Sequence, residues 1–291
     1  RVPLTVALFV VTVASLHACQ PLSPGRKAVA ISDRIRPSPE YPRHWQYGGE
    51  PVVLIGGSRE DNLFQIEGLA EHLDSLAAVG GNYVRNTMSS RDAGNLWPFA
   101  RGSDGQYDLE RLNEEYFARL ERLLTLALER DIIVQIELWD RFDFAREPWL
   151  ENPYRPANNR NYSPEQSGLA EEYPRHPGQN DNPFFRSIPA LDDNQLLLNY
   201  QHAQVDRLLE VSLHFPNVLY TMDNETSATA EWGAYWSGYV QRRARELASA
   251  YIADPASLPG TLAPAVLRVA AVSGDAALYE HAELQRTGRG S

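Results

Sequence analysis

The sequence has 291 residues, of which 43% carry hydrophobic side chains, enough for one large α/β domain of about 250 residues or for two average domains. Its 38 Asp and Glu residues outnumber its 27 Lys and Arg residues, and the net charge of −11 argues against a nucleic-acid-binding protein, which needs a basic surface. Its single cysteine, Cys19, excludes a disulfide bond within the chain and a structural zinc site built on several thiolates.

The first segment of the chain has the pattern of an export signal. Residues 4–16 form an apolar run, which is too short for a membrane-spanning helix of about 20 residues. The run ends in Leu-His-Ala-Cys, which resembles the bacterial lipobox, in which the chain is cut before a cysteine that is then acylated. A plain secretory signal cut near Ala18 is the alternative. The sequence predicts a signal peptide over 1–19 and an exported protein, either held on a membrane through lipid on Cys19, in the periplasm or at the cell surface, or secreted.

The composition changes again after the signal. Residues 20–44 are rich in Pro, Ser and Arg, which predicts a linker that holds a domain away from a membrane surface. From Trp45 to about residue 252, short apolar runs alternate with long amphipathic ones. We therefore expect one domain over 45–252. The tail 253–291 is left unassigned, although 265–272 has the pattern of a fifth strand and 276–285 that of a helix.

The alternation within this domain indicates βα units. The predicted strands are 52–57, 82–87, 132–138 and 217–223. The predicted helices are 66–79, 113–130, 193–214 and one that begins near residue 231. Strands that alternate with helices of this length are typical of an α/β fold with a parallel sheet.

The connections between these elements differ strongly in length. The loops that leave the carboxyl ends of strands, 89–108 and 139–190, are long and rich in polar and aromatic residues. The loops that return from helix to strand are only two or three residues long, as at 79–81. Because active sites of parallel α/β folds lie at the carboxyl ends of strands, we expect the functional residues there.

The strand ends carry the most specific pattern in the sequence. The fourth predicted strand follows Pro216, begins with Asn217 and leads directly into Asn224-Glu225. The other matching segments are 51–58, 76–85 and 133–140. Together they resemble the first half of a clan A glycoside hydrolase, a group of retaining enzymes that includes cellulase-like and mannanase-like families. The resemblance implies an α/β fold, a (β/α)8 TIM barrel that stops after four or five βα units.

The same resemblance implies roles for three residues. Retaining hydrolysis needs two carboxyl groups about 5 to 5.5 Å apart, and Glu225 corresponds to the general acid/base. Asn224 would hydrogen-bond the 2-hydroxyl of the sugar, and Arg85 would orient the nucleophile and keep it ionised. The alternative for Glu225 is a carboxylate in the first turn of a helix, where it stabilises the helix dipole. The alternative for Arg85 is an ordinary ion pair at a strand end.

Aromatic residues in the loops after the strands predict a surface for sugar rings. Trp139 and Asp140 directly follow the third strand, and Trp232 follows the fourth, so we expect these three to bind substrate. Other aromatic residues in the same loops are Trp97, Trp149, Tyr154, Tyr162 and Trp236. The alternative is that these rings pack within the long loops.

No pattern in the sequence predicts a cofactor or a metal. His-Glu-x-x-His, Gly-x-Gly-x-x-Gly, P-loop and nucleophile-elbow motifs are absent. His202 and Asp206 lie four residues apart on one helix face, a spacing that suits a metal but is more typical of a solvated polar face. Because these motifs are absent, the remaining interpretation is a mechanism that uses carboxylate side chains.

The end of the sequence departs from the family. Clan A enzymes carry the nucleophile at the end of the seventh strand, and too few residues follow Tyr251 to form three more strands. The nucleophile is therefore expected to be missing from this chain, and the fragment alone to be inactive. Two functions remain: a retaining glycosidase that acts on a poly- or oligosaccharide, and a non-catalytic surface protein that binds glycans.

Overall fold

The computed structural model of this protein describes residues 34–179, 182–224 and 229–253. Its strands are β1 (Arg36–Pro37), β2 (Trp45–Tyr47), β3 (Glu50–Val52), β4 (Tyr83–Thr87), β5 (Phe99–Arg101), β6 (Tyr107–Leu112), β7 (Ile133–Asp140) and β8 (Val218–Asn224). Its α-helices are α1 (Leu69–Ala78), α2 (Glu114–Leu128), α3 (Arg146–Glu151), α4 (Pro164–Ser167), α5 (Gln195–Ser212) and α6 (Ala230–Ala253). The predicted signal peptide with Cys19, the predicted linker up to residue 33, the tail from residue 254 and Glu225 lie outside the described residues.

A parallel sheet in the order β4-β7-β8 forms the centre of the fold. All residues of β7 are buried, as expected for a middle strand that is rich in apolar residues and covered on both faces. Asp140 at the end of β7 lies beside Asn224 at the end of β8, and Thr87 at the end of β4 lies beside Glu137. The ends of the three strands therefore meet at one edge of the sheet, which we call the carboxyl edge.

Amphipathic helices connect these strands, as the sequence predicts. Helix α2 begins after Asn113, whose side-chain oxygen accepts a hydrogen bond from the backbone N–H of Glu115 at 3.2 Å, a typical N-cap. Asn194 caps α5 through the backbone N–H of Leu197. The last three predicted strands and the predicted helices 66–79, 113–130 and 193–214 are confirmed to within a few residues.

The predicted buried strand 52–57 is wrong over most of its length. Only its first residue belongs to a strand, β3, which pairs antiparallel with β2 and not with the central sheet. Beyond it, an isolated parallel bridge joins Gly56 to Tyr83, and Val53 and Ile55 are 69% and 60% exposed. No strand in the described ranges lies on the outer side of this segment, so these apolar side chains lack a partner there.

The described part of the predicted linker 20–44 is folded. Strand β1 pairs antiparallel with β2, and Ile35 is buried against Ile133 and Leu219 at the start of β7 and β8. The backbone N–H of Ile35 donates a hydrogen bond to the carbonyl of Pro216 at 2.9 Å. This segment therefore covers the amino edge of the sheet, opposite the carboxyl edge.

The long loop between β7 and α5 is a layer of short helices and turns. Its asparagine side chains bond to backbone carbonyls: Asn152 donates to Asp143 at 2.8 Å and Asn182 donates to Phe144 at 3.0 Å. The rings of Phe144 and Phe184 pack with their centroids 4.0 Å apart. Aromatic packing and side-chain hydrogen bonds therefore order a loop that has little regular secondary structure.

The architecture is α/β, as predicted, and the central sheet is open within the described residues. A closed barrel is not formed by residues 34–179, 182–224 and 229–253. None of the helices in these ranges combines the length and the apolar composition that a bilayer span requires.

Candidate functional site

Three of the predicted site residues meet at the carboxyl edge. Arg85 on β4 donates a hydrogen bond from Nη1 to the side-chain oxygen of Asn224 at 3.0 Å. The side-chain nitrogen of Asn224 donates to Oδ1 of Asp140 at a longer distance of 3.4 Å. The pairing of β7 with β8 produces this contact, because it places Asp140 and Asn224 side by side. Glu225 follows Asn224 directly in the chain but lies outside the described residues.

Two residues that the sequence analysis missed complete this cluster. Asp61, in the loop before α1, forms an ion pair with Nη2 of Arg85 and accepts from Nη2 of Arg91 at 2.5 Å. The other terminal nitrogen of Arg91 pairs with Asp140. The contacts therefore run in a closed circle, which we call the strand-end ring. Its members are Asp61, Arg85, Arg91, Asp140 and Asn224.

The charges of the strand-end ring balance. Two guanidinium groups face two carboxylates, and Asn224 is neutral. The Asp140 side chain is fully buried, whereas Arg85 and Asp61 are each 36% exposed. Burial raises the pKa of Asp140 and the charge of Arg91 opposes this rise. The ring is therefore anchored in the interior at Asp140 and reaches solvent at Asp61.

A further carboxyl group, Glu137, lies next to the ring. Its Oε1 is 3.8 Å from Nη1 of Arg85 and accepts a hydrogen bond from the Gln135 side chain at 3.1 Å. Its Oε2 is buried and has no hydrogen-bond partner within the described part of the chain. Burial raises the pKa of Glu137 to about 7, against the opposing effect of Arg85. A substantial fraction of Glu137 is therefore protonated at neutral pH.

Asp143 is a second buried acid near this edge. It accepts hydrogen bonds from the hydroxyl of Ser89 at 2.7 Å and from the backbone N–H of Ser90 at 3.0 Å. Burial and the neighbouring charge of Asp140 raise the pKa of Asp143 to about 8. It lines a cavity of about 20 Å³, which has room for one water molecule and none for a sugar. This cavity is therefore not a substrate pocket.

The rings of Trp139 and Trp232 belong to the core. Trp139 is 2% exposed and Trp232 is fully buried. The Trp139 ring packs edge-on against Phe184 and Trp236, with centroids 5.3 and 5.2 Å apart. The prediction that these two rings present a face to sugar is corrected accordingly, since Trp139 packs between the loop after β7 and helix α6, and Trp232, on α6, packs against Phe185 of that loop. Their positions agree with the alternative interpretation, in which the aromatic rings serve for packing.

His202 and Asp206 are held by tyrosines of α6. Nε2 of His202 lies 2.7 Å from the hydroxyl of Tyr235, and the hydroxyl of Tyr239 donates to Asp206 at 2.8 Å. Within the described ranges, no group of three or more His, Cys, Asp or Glu side chains is arranged as a metal-binding set. The pair connects α5 to α6.

No model of a known protein family matches this chain, and no curated protein matches it. Solved structures do. A glycoside hydrolase family 5 mannosidase from Rhizomucor miehei, in complex with mannosyl-fructose, aligns with a TM-score of 0.50 and 14% identity over 74% of this chain and 54% of that chain. A β-mannanase from the blue mussel Mytilus edulis aligns with a TM-score of 0.40 and 12% identity over 77% of this chain and 61% of that chain.

The alignment with the mannosidase concerns the fold. The chain spans about half the length of the mannosidase, and the sheet β4-β7-β8 is open in the described residues. The fold is therefore α/β and similar to part of a (β/α)8 glycoside hydrolase barrel.

Proposed function

We propose that this protein is a retaining glycoside hydrolase that acts on O-glycosidic bonds in a poly- or oligosaccharide, with Glu225 as its general acid/base. The observation that supports this proposal is the position of Asn224. Its amide is held between Arg85 and Asp140 at the end of β8, directly before Glu225 in the chain. In a parallel α/β fold this edge is where catalytic residues lie.

The proposed reaction uses Glu225 twice. As the glycosidic bond breaks, its carboxyl group donates a proton to the leaving oxygen while a second carboxylate attacks the anomeric carbon. Water then attacks the glycosyl-enzyme, and Glu225 takes a proton from that water. The amide of Asn224 donates to the sugar 2-hydroxyl, and the positive charge of Arg85 favours the ionised form of the nucleophile. We assign no residue of this chain as the nucleophile.

Mannose-containing oligosaccharides are the first substrates to test, because the aligned structure from Rhizomucor miehei is a mannosidase in complex with mannosyl-fructose. We propose this class as a starting point for a screen that also includes other polysaccharides and aryl glycosides.

A variant series tests the role of Glu225. In a form of the protein that includes the nucleophile, Glu225→Gln keeps the shape of the side chain but cannot donate a proton, so turnover of a substrate with a poor leaving group should fall by roughly 10² to 10⁴. An aryl glycoside with a good leaving group needs little protonation, and azide should restore its turnover because azide needs no general base. Glu246→Gln, at a glutamate paired with Arg243 on α6, is the control. Equal activity of wild type and Glu225→Gln on both substrates would reject the assignment.

The second candidate is a surface protein that binds glycans without hydrolysing them. The carboxylates of the strand-end ring, Asp61 and Asp140, form ion pairs with arginines, and we assign neither of them as the second catalytic carboxylate that hydrolysis needs. The same screen separates the two candidates. Binding of an oligosaccharide with no release of product, by a form of the protein that would include the nucleophile, would favour the binding protein.

We also propose that the protein is exported and anchored to a membrane through an acyl group on Cys19. Two acyl groups or more are expected, because one chain gives only marginal binding. Cys19→Ser should move the protein from the membrane fraction to the soluble fraction, while Ser23→Ala should not. Unchanged membrane fractionation of Cys19→Ser would exclude the anchor.

A further inference from the structure

In the strand-end ring, the oxygen and the nitrogen of the Asn224 side-chain amide face partners of opposite hydrogen-bonding character. On one side stands Arg85, whose guanidinium group only donates hydrogen bonds, and on the other stands Asp140, whose carboxylate only accepts them. The amide oxygen of Asn224 faces the donor at 3.0 Å, and its nitrogen faces the acceptor at 3.4 Å. A rotation of the amide by 180° would set N–H against N–H and oxygen against carboxylate. The ring therefore selects one orientation of the amide.

Asp61 and Arg91 do not contact Asn224, but they hold Arg85 and Asp140 in the positions that favour this orientation of the amide. Asp61 holds Nη2 of Arg85, which leaves Nη1 directed at Asn224. Arg91 uses its two terminal nitrogens separately, one for Asp61 at 2.5 Å and one for Asp140. Its guanidinium group also lies 5.4 Å from the centre of the Phe142 ring, which restrains it further.

Arg85 has a competing partner if Asp61 releases it. Oε1 of Glu137 lies 3.8 Å from the same Nη1 that bonds to Asn224, and Glu137 is buried with one oxygen unpartnered among the described residues. If the ion pair between Asp61 and Nη2 of Arg85 is lost, the guanidinium group of Arg85 is free to turn toward Glu137. Asn224 would then lose the donor that fixes its oxygen.

We propose that Asp61 and Arg91 are positioning residues that fix the side-chain amide of Asn224 for a ligand. An asparagine amide has two N–H groups, and Asp140 takes one of them. Asn224 is only 3% exposed, so a hydroxyl oxygen of a carbohydrate would approach the second N–H from the partly exposed side of the strand-end ring, at Arg85 and Asp61. This assignment of the ligand rests on the proposed function, whereas the fixed orientation of the amide does not. The two parts are tested separately.

The orientation is tested by NMR spectroscopy of the side-chain amide of Asn224 in the full chain. Asn224→Asp identifies its signals, because they disappear in that variant. Asp61→Asn removes the charge without changing the shape, and Arg91→Lys keeps the charge but replaces the two-nitrogen fork by a single ammonium group. Asp104→Asn and Arg160→Lys are the matched controls, since these residues form an exposed ion pair at 2.9 Å elsewhere.

We expect the two ring variants to bring the Asn224 amide protons toward the shifts of exposed asparagines and to speed their exchange with water by about tenfold or more. The controls should leave both properties unchanged. Unchanged Asn224 signals in both ring variants would overturn the proposal. Where a ring variant does not fold, the wild type decides: an Asn224 amide that exchanges as fast as exposed asparagines would also overturn it.

The ligand is tested with manno-oligosaccharides and the wider carbohydrate screen. For a carbohydrate that the wild type binds or hydrolyses, Asp61→Asn and Arg91→Lys should raise Kd or KM by about tenfold, the effect of one lost hydrogen bond, and the controls should not. Altered amide signals with unchanged carbohydrate affinity would overturn the ligand part and keep the orientation. If the wild type neither binds nor hydrolyses any carbohydrate, the proposed function and the ligand part fail together, and the amide signals still decide the orientation.

Discussion

The two edges of the central sheet are built from the same strands but differ in chemistry. At the amino edge, Ile35, Ile133 and Leu219 form a small apolar cluster that the first described segment covers. At the carboxyl edge, the strand-end ring is charged and partly exposed. Glu137 marks the change within β7, four residues after Ile133 and three before Asp140.

The two edges of the sheet therefore contribute differently to stability and to the geometry of the site. Burial of apolar side chains at the amino edge stabilises the fold without directional contacts. Ion pairs at the carboxyl edge add less net stability, because the desolvation of the charges offsets their attraction. They fix geometry instead, since each guanidinium group holds two partners. We therefore expect substitutions at the amino edge to change stability and substitutions at the carboxyl edge to change ligand binding.

The largest effect on stability is expected at Ile133. It is fully buried at the start of β7, and Ile133→Ala should lower the free energy of unfolding by about 2 to 5 kcal/mol through lost burial and a cavity. The measurement is urea denaturation. Val79→Ala, at a valine that is 82% exposed, should change it by less than about 0.5 kcal/mol.

The same variant sharpens the comparison between the two edges. In folded Ile133→Ala protein, the NMR signals of the Asn224 amide should match those of the wild type, because the two sites lie at opposite ends of the sheet. A shift of those signals, or a stability loss no larger than that of Val79→Ala, would contradict the view that the amino edge determines stability and the carboxyl edge determines the geometry of the site.

The second effect concerns pH and the buried acid Glu137. Its pKa rises from the ordinary 4.5 to about 7 in the folded protein. Between these values the native state binds more protons than the unfolded state, so this contribution to stability is complete below pH 4.5 and is lost as the pH rises through about 7. The loss amounts to about 3 kcal/mol at most.

Urea denaturation at several pH values tests this prediction. Glu137→Gln removes the titrating group while keeping a side chain that can hydrogen-bond, so the fall in stability between pH 5 and pH 8 should become smaller by about 2 to 3 kcal/mol. Asp143, whose pKa also rises through burial, titrates in the same direction and should keep part of the slope. An unchanged slope in Glu137→Gln would show that Glu137 does not titrate in this range.

The central elements could be predicted from the sequence because their signals are local. Strand β7 is rich in apolar residues and follows a short loop after a helix, and α2 and α5 have a helical stripe behind an asparagine cap. Arg85 and Asn224 were found through the resemblance of their strand ends to those of clan A glycoside hydrolases.

The strand-end ring as a whole could not be predicted. Asp61 and Arg91 lie in two different loops among other charged residues, and only the folded sheet brings them together. The positions of Trp139 and Trp232 could not be predicted either, because aromatic residues after a strand serve equally for ligand binding and for packing. Which of the two applies depends on the path of the long loop, which the sequence does not specify. The segment 52–57 shows that an apolar run predicts burial only where a partner covers it.

The smallest expected effect on stability concerns the open side of the sheet at Val53. Val53 is 69% exposed beside the isolated bridge from Gly56 to Tyr83, so Val53→Lys should change the free energy of unfolding by less than about 0.5 kcal/mol. An apolar, unpaired edge favours addition of strands from other chains, and a lysine opposes it. The variant should therefore keep a larger fraction of monomer than the wild type in sedimentation velocity at rising protein concentration. Val79→Lys adds the same charge at an exposed valine outside the edge, and equal association of the two variants would show that charge alone, and not the sheet edge, controls it.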